Sequence, residues 1–272
     1  MAADGPLIHP TAIIEEGAVI GEGTTVGPFS IIGSRVVLGK GNRIGPHVVI
    51  TGHTRLGDRN EVFQFASIGA KPQDLKYQGE DSRLEIGDEN RIREYVTLQP
   101  GTKGGGMVTR IGNRNLFMAC SHIGHDGTIG DDNIFANSAG LAGHVTVGNR
   151  VIVGGLAGVH QFVRIGDLAM LGAGAMVGRD VPPYCIAQGD HAELVGINQV
   201  GLQRAGWTSE EIARLRSFYR RIFRGVGPFR ERLAAVREEC AADPKAAVWL
   251  AFCEKSERGI MFARGAGGGE GD

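Results

Sequence analysis

One aliphatic residue in every six constrains this chain more than any other feature of its sequence. The series runs from Ile8 to Ile68, resumes at Ile86, shifts by one residue at Ile111 and continues to Val177, and its members are Ile, Val, Leu or Phe. An α-helix cannot satisfy this period, because 3.6 residues per turn does not divide six and glycine follows many of the aliphatic positions. The pattern predicts short strands that form three flat sides of a stacked coil, with each aliphatic side chain inside.

Composition narrows the class of protein further. The 272 residues include 44 glycines without the three-residue period of collagen, 42% hydrophobic residues and a formal net charge of −1. A nearly neutral chain has no overall attraction to nucleic acid or to anionic lipid. No segment approaches the roughly 20 apolar residues of a membrane span, and the first ten residues do not resemble a secretory signal. We expect a cytoplasmic protein that neither binds nucleic acid nor inserts stably into a membrane.

The four cysteines support the same compartment. Cys120, Cys185, Cys240 and Cys253 have neither the paired spacing of a metal site nor the density of a secreted disulfide scaffold. We interpret them as reduced thiols, most of them packed in the interior.

Two segments interrupt the period and are expected to leave the coil as loops, at residues 70–85 and 103–110. Loops on a rigid scaffold often carry binding residues. The second contains the run Lys103 to Gly106, which lacks the strand-to-helix context of a phosphate-binding loop, so we expect a flexible surface loop there.

The period stops near residue 181 and helical patterns follow. A capping box from Thr208 to Glu211 opens an amphipathic helix, and further helical stretches are expected at 229–242 and 245–257. The predicted organisation is a β-helix over residues 1–190, a small helical domain over 191–264, and a disordered glycine-rich tail over 265–272.

Four of the eight histidines, His122, His125, His144 and His160, fall in consecutive coils. Stacking of the coils would bring them to one wall. His125 is predicted at a solvent-facing corner with Asp126 beside it, and an imidazole next to a carboxylate suits a general base.

Two other interpretations remain. Three imidazoles can bind zinc, as in a carbonic anhydrase, although the spacing of His122 and His125 does not fit that family. A purely structural β-helix needs only the repeat, but it gives no reason for the clustered histidines.

Several strings are similar to the UDP-N-acetylglucosamine O-acyltransferases among the hexapeptide-repeat transferases. They are Gln64 to Gly69 with Gln73 to Tyr77, His122 to Asp126, Leu141 to Val145, Val159 to Phe162, and Asp180 to Tyr184 with Ile186 to His191. The resemblance implies a left-handed parallel β-helix, a homotrimer, no metal or cofactor, and transfer of a 3-hydroxyacyl chain from acyl carrier protein to the 3-hydroxyl of UDP-N-acetylglucosamine, the first step of lipid A biosynthesis.

The resemblance also implies roles for individual residues. His125 would be the general base, Asp126 its partner, and the Gly143 amide the donor to the oxyanion. Residues implied to hold the sugar and the acyl donor are Gln73, Asp74, Lys76, His122, His144, His160 and Gln161. Asn198 and Arg204 would bind the nucleotide, His191 the far end of the acyl chain, and Ala173 would limit that chain's length.

Three positions depart from the family pattern. Gln99 replaces a common histidine, Val200 an acidic residue and Ala205 an arginine. Altered contacts to the acceptor and the nucleotide are expected at these positions. Some family members acylate a 3-amino sugar, so amide formation remains open.

Overall fold

Three parallel sheets wrap one hydrophobic core over most of the chain. The computed structural model describes residues 7–263. Up to the twenty-sixth strand, successive strands belong to different sheets, and each of the first 23 strands pairs with the one three places later in the chain. This arrangement is a parallel β-helix with one strand of each sheet per coil.

The strands before the first loop are β1 (Leu7–Ile8), β2 (Ile13–Ile14), β3 (Val19–Ile20), β4 (Thr25–Val26), β5 (Ile31–Ile32), β6 (Val37–Leu38), β7 (Arg43–Ile44), β8 (Val49–Ile50), β9 (His53–Leu56), β10 (Glu61–Val62) and β11 (Ser67–Ile68). Those between the loops are β12 (Arg83–Ile86), β13 (Arg91–Ile92) and β14 (Thr97–Leu98). Those after the second loop are β15 (Val108–Ile111), β16 (Leu116–Phe117), β17 (His122–Ile123), β18 (Thr128–Ile129), β19 (Ile134–Phe135), β20 (Gly140–Leu141), β21 (Thr146–Val147), β22 (Ile152–Val153), β23 (Gly158–Val159), β24 (Arg164–Ile165), β25 (Met170–Leu171), β26 (Met176–Val177), β27 (Cys185–Gln188) and β28 (Glu193–Ile197).

The first sheet begins with β1 and β4, the second with β2 and β5, and the third with β3 and β6. Register keeps the aliphatic series aligned, as Ile14 lies opposite Ile32 and Ile32 opposite Ile50. Both Ile32 and Ile50 are fully buried. The six-residue period therefore specifies the interior as predicted, because each strand contributes one inward side chain.

Both interruptions leave the coil, but each ends before the predicted boundary. Arg83 to Glu85 pair with β9 on one side and with β15 on the other, so the first loop ends at residue 82. Val108 to Arg110 are likewise strand, which ends the second loop at residue 107. The predicted limits were wrong because β9, β12 and β15 have four residues each, whereas most strands of the coil have two.

At some corners, close packing between coils requires glycine after the inward residue. A Cβ on Gly21 would lie 2.4 Å from the Gly39 carbonyl oxygen of the next coil. The left-handed backbone that turns the corner falls two residues later, often at non-glycine residues such as Phe29, with a φ of 58°. The corners thus place large side chains outward in a strained conformation.

A ladder of buried asparagines lines the corner between the third and first sheets. Its members are Asn42, Asn60, Asn90, Asn115 and Asn133. The Asn60 Oδ1 atom accepts hydrogen bonds from the backbone N–H and the side-chain amide of Asn90, at 2.8 and 3.0 Å. Each rung satisfies polar groups of the next coil, which a buried turn requires.

The coil ends in a hairpin and four helices. Strand β27 pairs in parallel with β25 and antiparallel with β28, and residues 189–192 form the turn between β27 and β28. The helices are α1 (Gln199–Arg204), α2 (Ser209–Phe223), α3 (Phe229–Ala242) and α4 (Pro244–Glu254). The predicted capping box at Thr208 is present, whereas α1 and the β27–β28 hairpin were not predicted.

Trp249 on α4 anchors the helices to the β-helix, because its indole N–H donates to the Pro183 carbonyl oxygen at 2.7 Å.

Cys185, Cys240 and Cys253 are buried free thiols and Cys120 is an exposed one. Within residues 7–263, no helix has the length and apolarity needed to cross a bilayer. The predicted tail at 265–272 lies outside the described residues.

Candidate active site

A cleft of about 700 Å³ crosses the second sheet between β14 and β26. It is open to the surface and contains residues from five successive coils and from the first loop. The implied site residues that line it are Gln73, His122, His125, Gly143, His160, Gln161 and His191. Strand stacking thus brings together residues that are far apart in the sequence.

His125 and Asp126 form a hydrogen-bonded pair at the bottom of this cleft. The His125 Nδ1–H donates to Asp126 Oδ2 at 2.8 Å, which leaves Nε2 as the free basic nitrogen of the neutral ring. The expectation of a solvent-facing His125 was wrong, because the residue is only 7% exposed. The side chain points out of the coil, but neighbouring coils cover it.

The second loop covers Asp126. Thr102 donates to this carboxylate twice, from its backbone N–H at 2.8 Å and from its hydroxyl at 2.6 Å. A Cβ on Gly105 would lie 2.0 Å from the Asp126 Cγ, so only glycine allows this approach. The loop was expected to be flexible, yet its 3-10 turn at Lys103–Gly105 packs on the carboxylate. Sequence reasoning missed Thr102, for which the flanking glycines were the only signal.

Gly143 lies directly against the His125 ring. A Cβ on Gly143 would lie 2.5 Å from both Cε1 and Nε2 of that ring. Among the backbone hydrogen bonds of residues 7–263, none uses the Gly143 N–H as a donor. The equivalent place after the inward residue is proline at Pro28 and Pro46, which shows that this N–H is not needed for coil pairing. Gly143 therefore packs against the His125 ring and has a backbone N–H without a backbone partner.

Two further histidines have lowered basicity. Burial lowers the pKa of His122, with a smaller contribution in the same direction from His125. Burial also lowers the pKa of His144, against the opposing effect of the Asp126 carboxylate. Both rings are thus favoured in the neutral form at pH 7, in which each offers one donor and one acceptor. The Nδ1 atom of His122 is 2.7 Å from the Thr97 hydroxyl oxygen.

The first loop brings polar residues over the cleft. Gln99 is buried and its side-chain oxygen accepts a hydrogen bond from the Gln73 N–H at 3.2 Å. The Asp74 carboxylate accepts from the Lys76 N–H at 3.0 Å, and the charges of both residues act on His144. Gln99, which replaces the family's common histidine, thus holds the loop that carries Gln73.

The upper end of the cleft contains His160, Gln161 and His191, all exposed. Sequence reasoning missed two residues here. Met176 lies next to Gly158 and lines the cleft, and Arg258 contacts the His160 ring. Arg258 lies beyond α4, 98 residues after His160, so no local pattern connects the two.

Seven implied site residues do not line this cleft. Asp126 and His144 contact His125, and the charges of Asp74 and Lys76 act on His144, whereas Ala173, Asn198 and Arg204 lie elsewhere. Ala173 lies at the corner between the first and second sheets, above Gly154 of the coil below. Asn198 is buried and caps α1, with its side-chain amide donating to the Leu168 carbonyl oxygen at 2.9 Å. Arg204 is exposed in the last turn of α1.

One group of side chains in residues 7–263 has the spacing of a metal site. The ligand atoms of His125, Asp126 and His144 lie within 4.8 Å of one another. However, the Asp126 oxygens already accept hydrogen bonds from Thr102 and His125. This geometry fits a hydrogen-bonded acid–base pair better than a set of metal ligands.

Known proteins share this sequence and fold. Residues 17–52 match the bacterial transferase hexapeptide family, and residues 180–261 match the second domain of the UDP-N-acetylglucosamine O-acyltransferases. The acyl-(acyl carrier protein):UDP-N-acetylglucosamine O-acyltransferase of Myxococcus xanthus is 50% identical over 253 residues, which cover 93% of this chain and 98% of the relative.

Solved structures agree with this match. The UDP-N-acetylglucosamine O-acyltransferase from Moraxella catarrhalis superposes with a TM-score of 0.90 at 44% identity, covering 93% of this chain and 99% of the other. The homologue from Acinetobacter baumannii superposes with a TM-score of 0.91 at 45% identity, covering 94% and 99%. These matches confirm the predicted fold class, a left-handed parallel β-helix with a helical C-terminal part. The chain belongs to the acyl-(acyl carrier protein):UDP-N-acetylglucosamine O-acyltransferase family and is an acyltransferase.

Proposed function

We propose that this enzyme transfers a 3-hydroxyacyl chain from the thioester of acyl carrier protein to the 3-hydroxyl of UDP-N-acetylglucosamine, the first step of lipid A biosynthesis. The names of its relatives support both substrates. The observation that carries the proposal is the close packing of Gly143, whose backbone N–H has no backbone partner, against the His125 ring. Acyl transfer needs a base and an oxyanion donor side by side.

His125 acts as the general base. Its Nε2 takes the proton of the sugar 3-hydroxyl while the hydroxyl oxygen attacks the thioester carbonyl carbon. Asp126 holds the ring in the required tautomer and stabilises the imidazolium that forms. When the tetrahedral intermediate collapses, the sulfur of the carrier leaves and receives the proton from Nε2.

The Gly143 N–H donates to the oxygen that becomes negative in the intermediate. This donor is fixed by the coil and does not need to reorganise during the reaction. Gln73, Asp74, Lys76, His122 and His144 hold the sugar beside the base, because they line the cleft or act on its histidines. His160, Gln161 and His191 bind at the upper end of the cleft, where the acyl donor would extend.

The active enzyme is a homotrimer in this proposal. Ala173, Asn198 and Arg204 are implied to bind the acyl chain and the nucleotide, yet they lie outside the cleft of their own chain. A neighbouring chain would bring them to it. Light scattering should therefore give a trimer mass at the working concentration, and an active monomer would contradict this arrangement.

A basic surface on α2 is proposed to dock the acidic carrier protein. Arg221 is engaged by Glu239 at 2.7 and 2.8 Å, and Arg216 contacts the Gln199 side chain. The charge of Arg221 is paired with a carboxylate, whereas Arg216 contacts an uncharged amide. Arg216 and Arg220 are therefore better candidates than Arg221 for contact with the carrier. Charge complementarity of this kind mainly accelerates association and weakens as salt rises.

The direct test is acyl transfer from purified 3-hydroxyacyl carrier protein to three acceptors. UDP-N-acetylglucosamine should give an ester identified by its mass, and the analogue without a 3-hydroxyl should give no product. The 3-amino analogue measures whether amide formation occurs. Hydrolysis of the thioester without acceptor modification would overturn the proposal.

A further inference from the structure

A segment beyond α4 is fixed to the end of the β-helix through Asp180. This residue is fully buried, and its carboxylate accepts a hydrogen bond from the Ser256 hydroxyl at 2.8 Å. Its backbone N–H donates to the Gly259 carbonyl oxygen at 2.9 Å. On the other side, Arg164 donates to the Lys255 carbonyl oxygen at 3.0 Å. The segment between Lys255 and Gly259 is therefore held at both ends.

This fixed segment places Arg258 at the rim of the cleft. The guanidinium donates from Nε to the Gly178 carbonyl oxygen at 3.2 Å, and its Nη2 atom is 3.0 Å from Nδ1 of His160. Two contacts through a planar group define its orientation. The reaction proposed above does not use Arg258.

The contact determines which nitrogen of His160 carries the proton. A guanidinium can only donate, so Nδ1 must offer its lone pair, and the neutral ring then carries its proton on Nε2. The alternative tautomer also has a partner, because the Gln161 carbonyl oxygen is 3.2 Å from the same Nδ1. One nitrogen cannot donate to Gln161 and accept from Arg258 at once.

We propose that Arg258 is a positioning residue that selects the Nε2–H tautomer of His160 and thereby presents a hydrogen-bond donor to the ligand in the cleft. That this ligand is the acyl donor rests on the proposed function. The tautomer of His160 does not depend on the proposed function. In this way the helical part of the chain contributes to a site built on the β-helix.

The expected kinetic effect follows from the position of His160. Ala142 lies beneath it in the next lower coil, and His125 lies one coil lower still. Two coil spacings separate His160 from the base by roughly 10 Å. A donor at that distance binds the ligand and leaves the reacting atoms unaffected, so its loss should raise KM more than it lowers kcat.

The first test observes the tautomer without substrate. Two-bond ¹H–¹⁵N correlation spectra at pH 8.5 should show the Nε2–H form of His160 in the wild type. Arg258→Met should move the population toward the Nδ1–H form, which can donate to Gln161. Arg179→Met removes a nearby exposed arginine and should leave the tautomer unchanged. A wild-type Nδ1–H form, or an unchanged Nε2–H population in Arg258→Met, would overturn the proposal.

The second test is a double-mutant cycle. Arg258→Met should raise the KM of the acyl donor by about five- to tenfold, the loss of one hydrogen bond, with a smaller change in kcat. In a His160→Ala background the same substitution should have little further effect, because no imidazole remains to be positioned. An equal loss in both backgrounds would show that Arg258 acts independently of His160. The spectra need no turnover. They therefore test the role of Arg258 in setting the His160 tautomer even if the proposed acyl-transfer function is wrong.

Discussion

Two corners of the same β-helix use one backbone conformation for different purposes. At the corner between the third and first sheets, Arg114 and Asp132 have φ angles of 54° and 58° and form an exposed ion pair at 2.8 Å. At the corner between the second and third sheets, Asp126 and His144 have φ angles of 59° and 63°. The side chain of Asp132 is 36% exposed, whereas that of Asp126 is completely buried.

The difference comes from the second loop. It places Thr102 and Gly105 over Asp126, and no comparable cover lies over Asp132 among the described residues. A carboxylate in water is screened and contributes little, whereas a buried and fully hydrogen-bonded carboxylate can fix a neighbouring imidazole. The repeat thus supplies equivalent positions, and an insertion converts one of them into a site.

The largest stability effect is expected inside the charged corner. Asn60→Ala should destabilise the protein by about 2–4 kcal/mol, because it removes the side chain that accepts from the buried Asn90 N–H and donates to the Gly87 carbonyl oxygen. The urea unfolding midpoint measures this loss. Arg59→Ala, which removes only an exposed contact to Glu89, is the control and should remain near the wild-type midpoint. A larger loss in the control would contradict the assignment of stability to the interior ladder.

On the catalytic corner, a single methyl group should lower the rate. Gly143→Ala places a Cβ against the His125 ring, so the ring must move away from the reacting position. We expect kcat to fall about 10²-fold, the size of a lost oxyanion donor or a misplaced base. Gly196→Ala is the control, since no atom lies near its added Cβ. Equal activity of both variants would rule out the tight packing of Gly143 on His125.

A smaller effect is expected from the loop that covers Asp126. Thr102→Val keeps the side-chain shape and the backbone N–H but loses the hydroxyl donor to Asp126. The expected fall in kcat is about tenfold, because a hydrogen bond to a charged group contributes about 1.5–3 kcal/mol. Thr128→Val, an exposed threonine on the third sheet, should leave kcat unchanged. Wild-type kcat in Thr102→Val would show that the loop does not tune the pair.

The smallest effect concerns pH. The pKa of His122 is lowered from 6.5, mainly by burial, so the unfolded chain binds more protons than the folded one below that pH. This contribution to stability is complete above pH 6.5 and is lost as the pH falls through 6.5 toward the folded-state pKa. Between pH 7.5 and 5.5, the urea midpoint of His122→Asn should therefore drop less than that of the wild type. A drop equal to that of the wild type would contradict burial as the cause.

The sequence alone predicts most of the β-helix. Its period identifies inward residues such as Ile32 and Ile50, which are fully buried. A shift of the register by one residue would turn these side chains out of the core, so the alternative registers are excluded. Helix α2 was likewise predictable from the Thr208 capping box. The short helix α1 and the strand β28 were missed, because their sequences show neither the six-residue period of the coil nor the three- and four-residue spacing of an amphipathic helix.

The site was only partly predictable. Stacking explains why His125 and Gly143 meet, since they occupy the same place in successive coils. The cover over Asp126 was not predicted, because the path of the second loop depends on packing by Thr102 and Gly105 rather than on a repeat. The contact between Arg258 and His160 depends on how α4 docks, which no local pattern specifies.

The role of the buried pair is tested most directly by the rate of ester formation in a single turnover at saturating substrates. The rate of ester formation in His125→Ala should be lower than in the wild type by about 10²- to 10⁴-fold, the usual contribution of a general base. Asp132→Asn, at the exposed corner, should match the wild type. Circular dichroism must show both variants folded, because His125 is packed. A folded His125→Ala variant that forms the ester at the wild-type rate would contradict the assignment of His125 as the base.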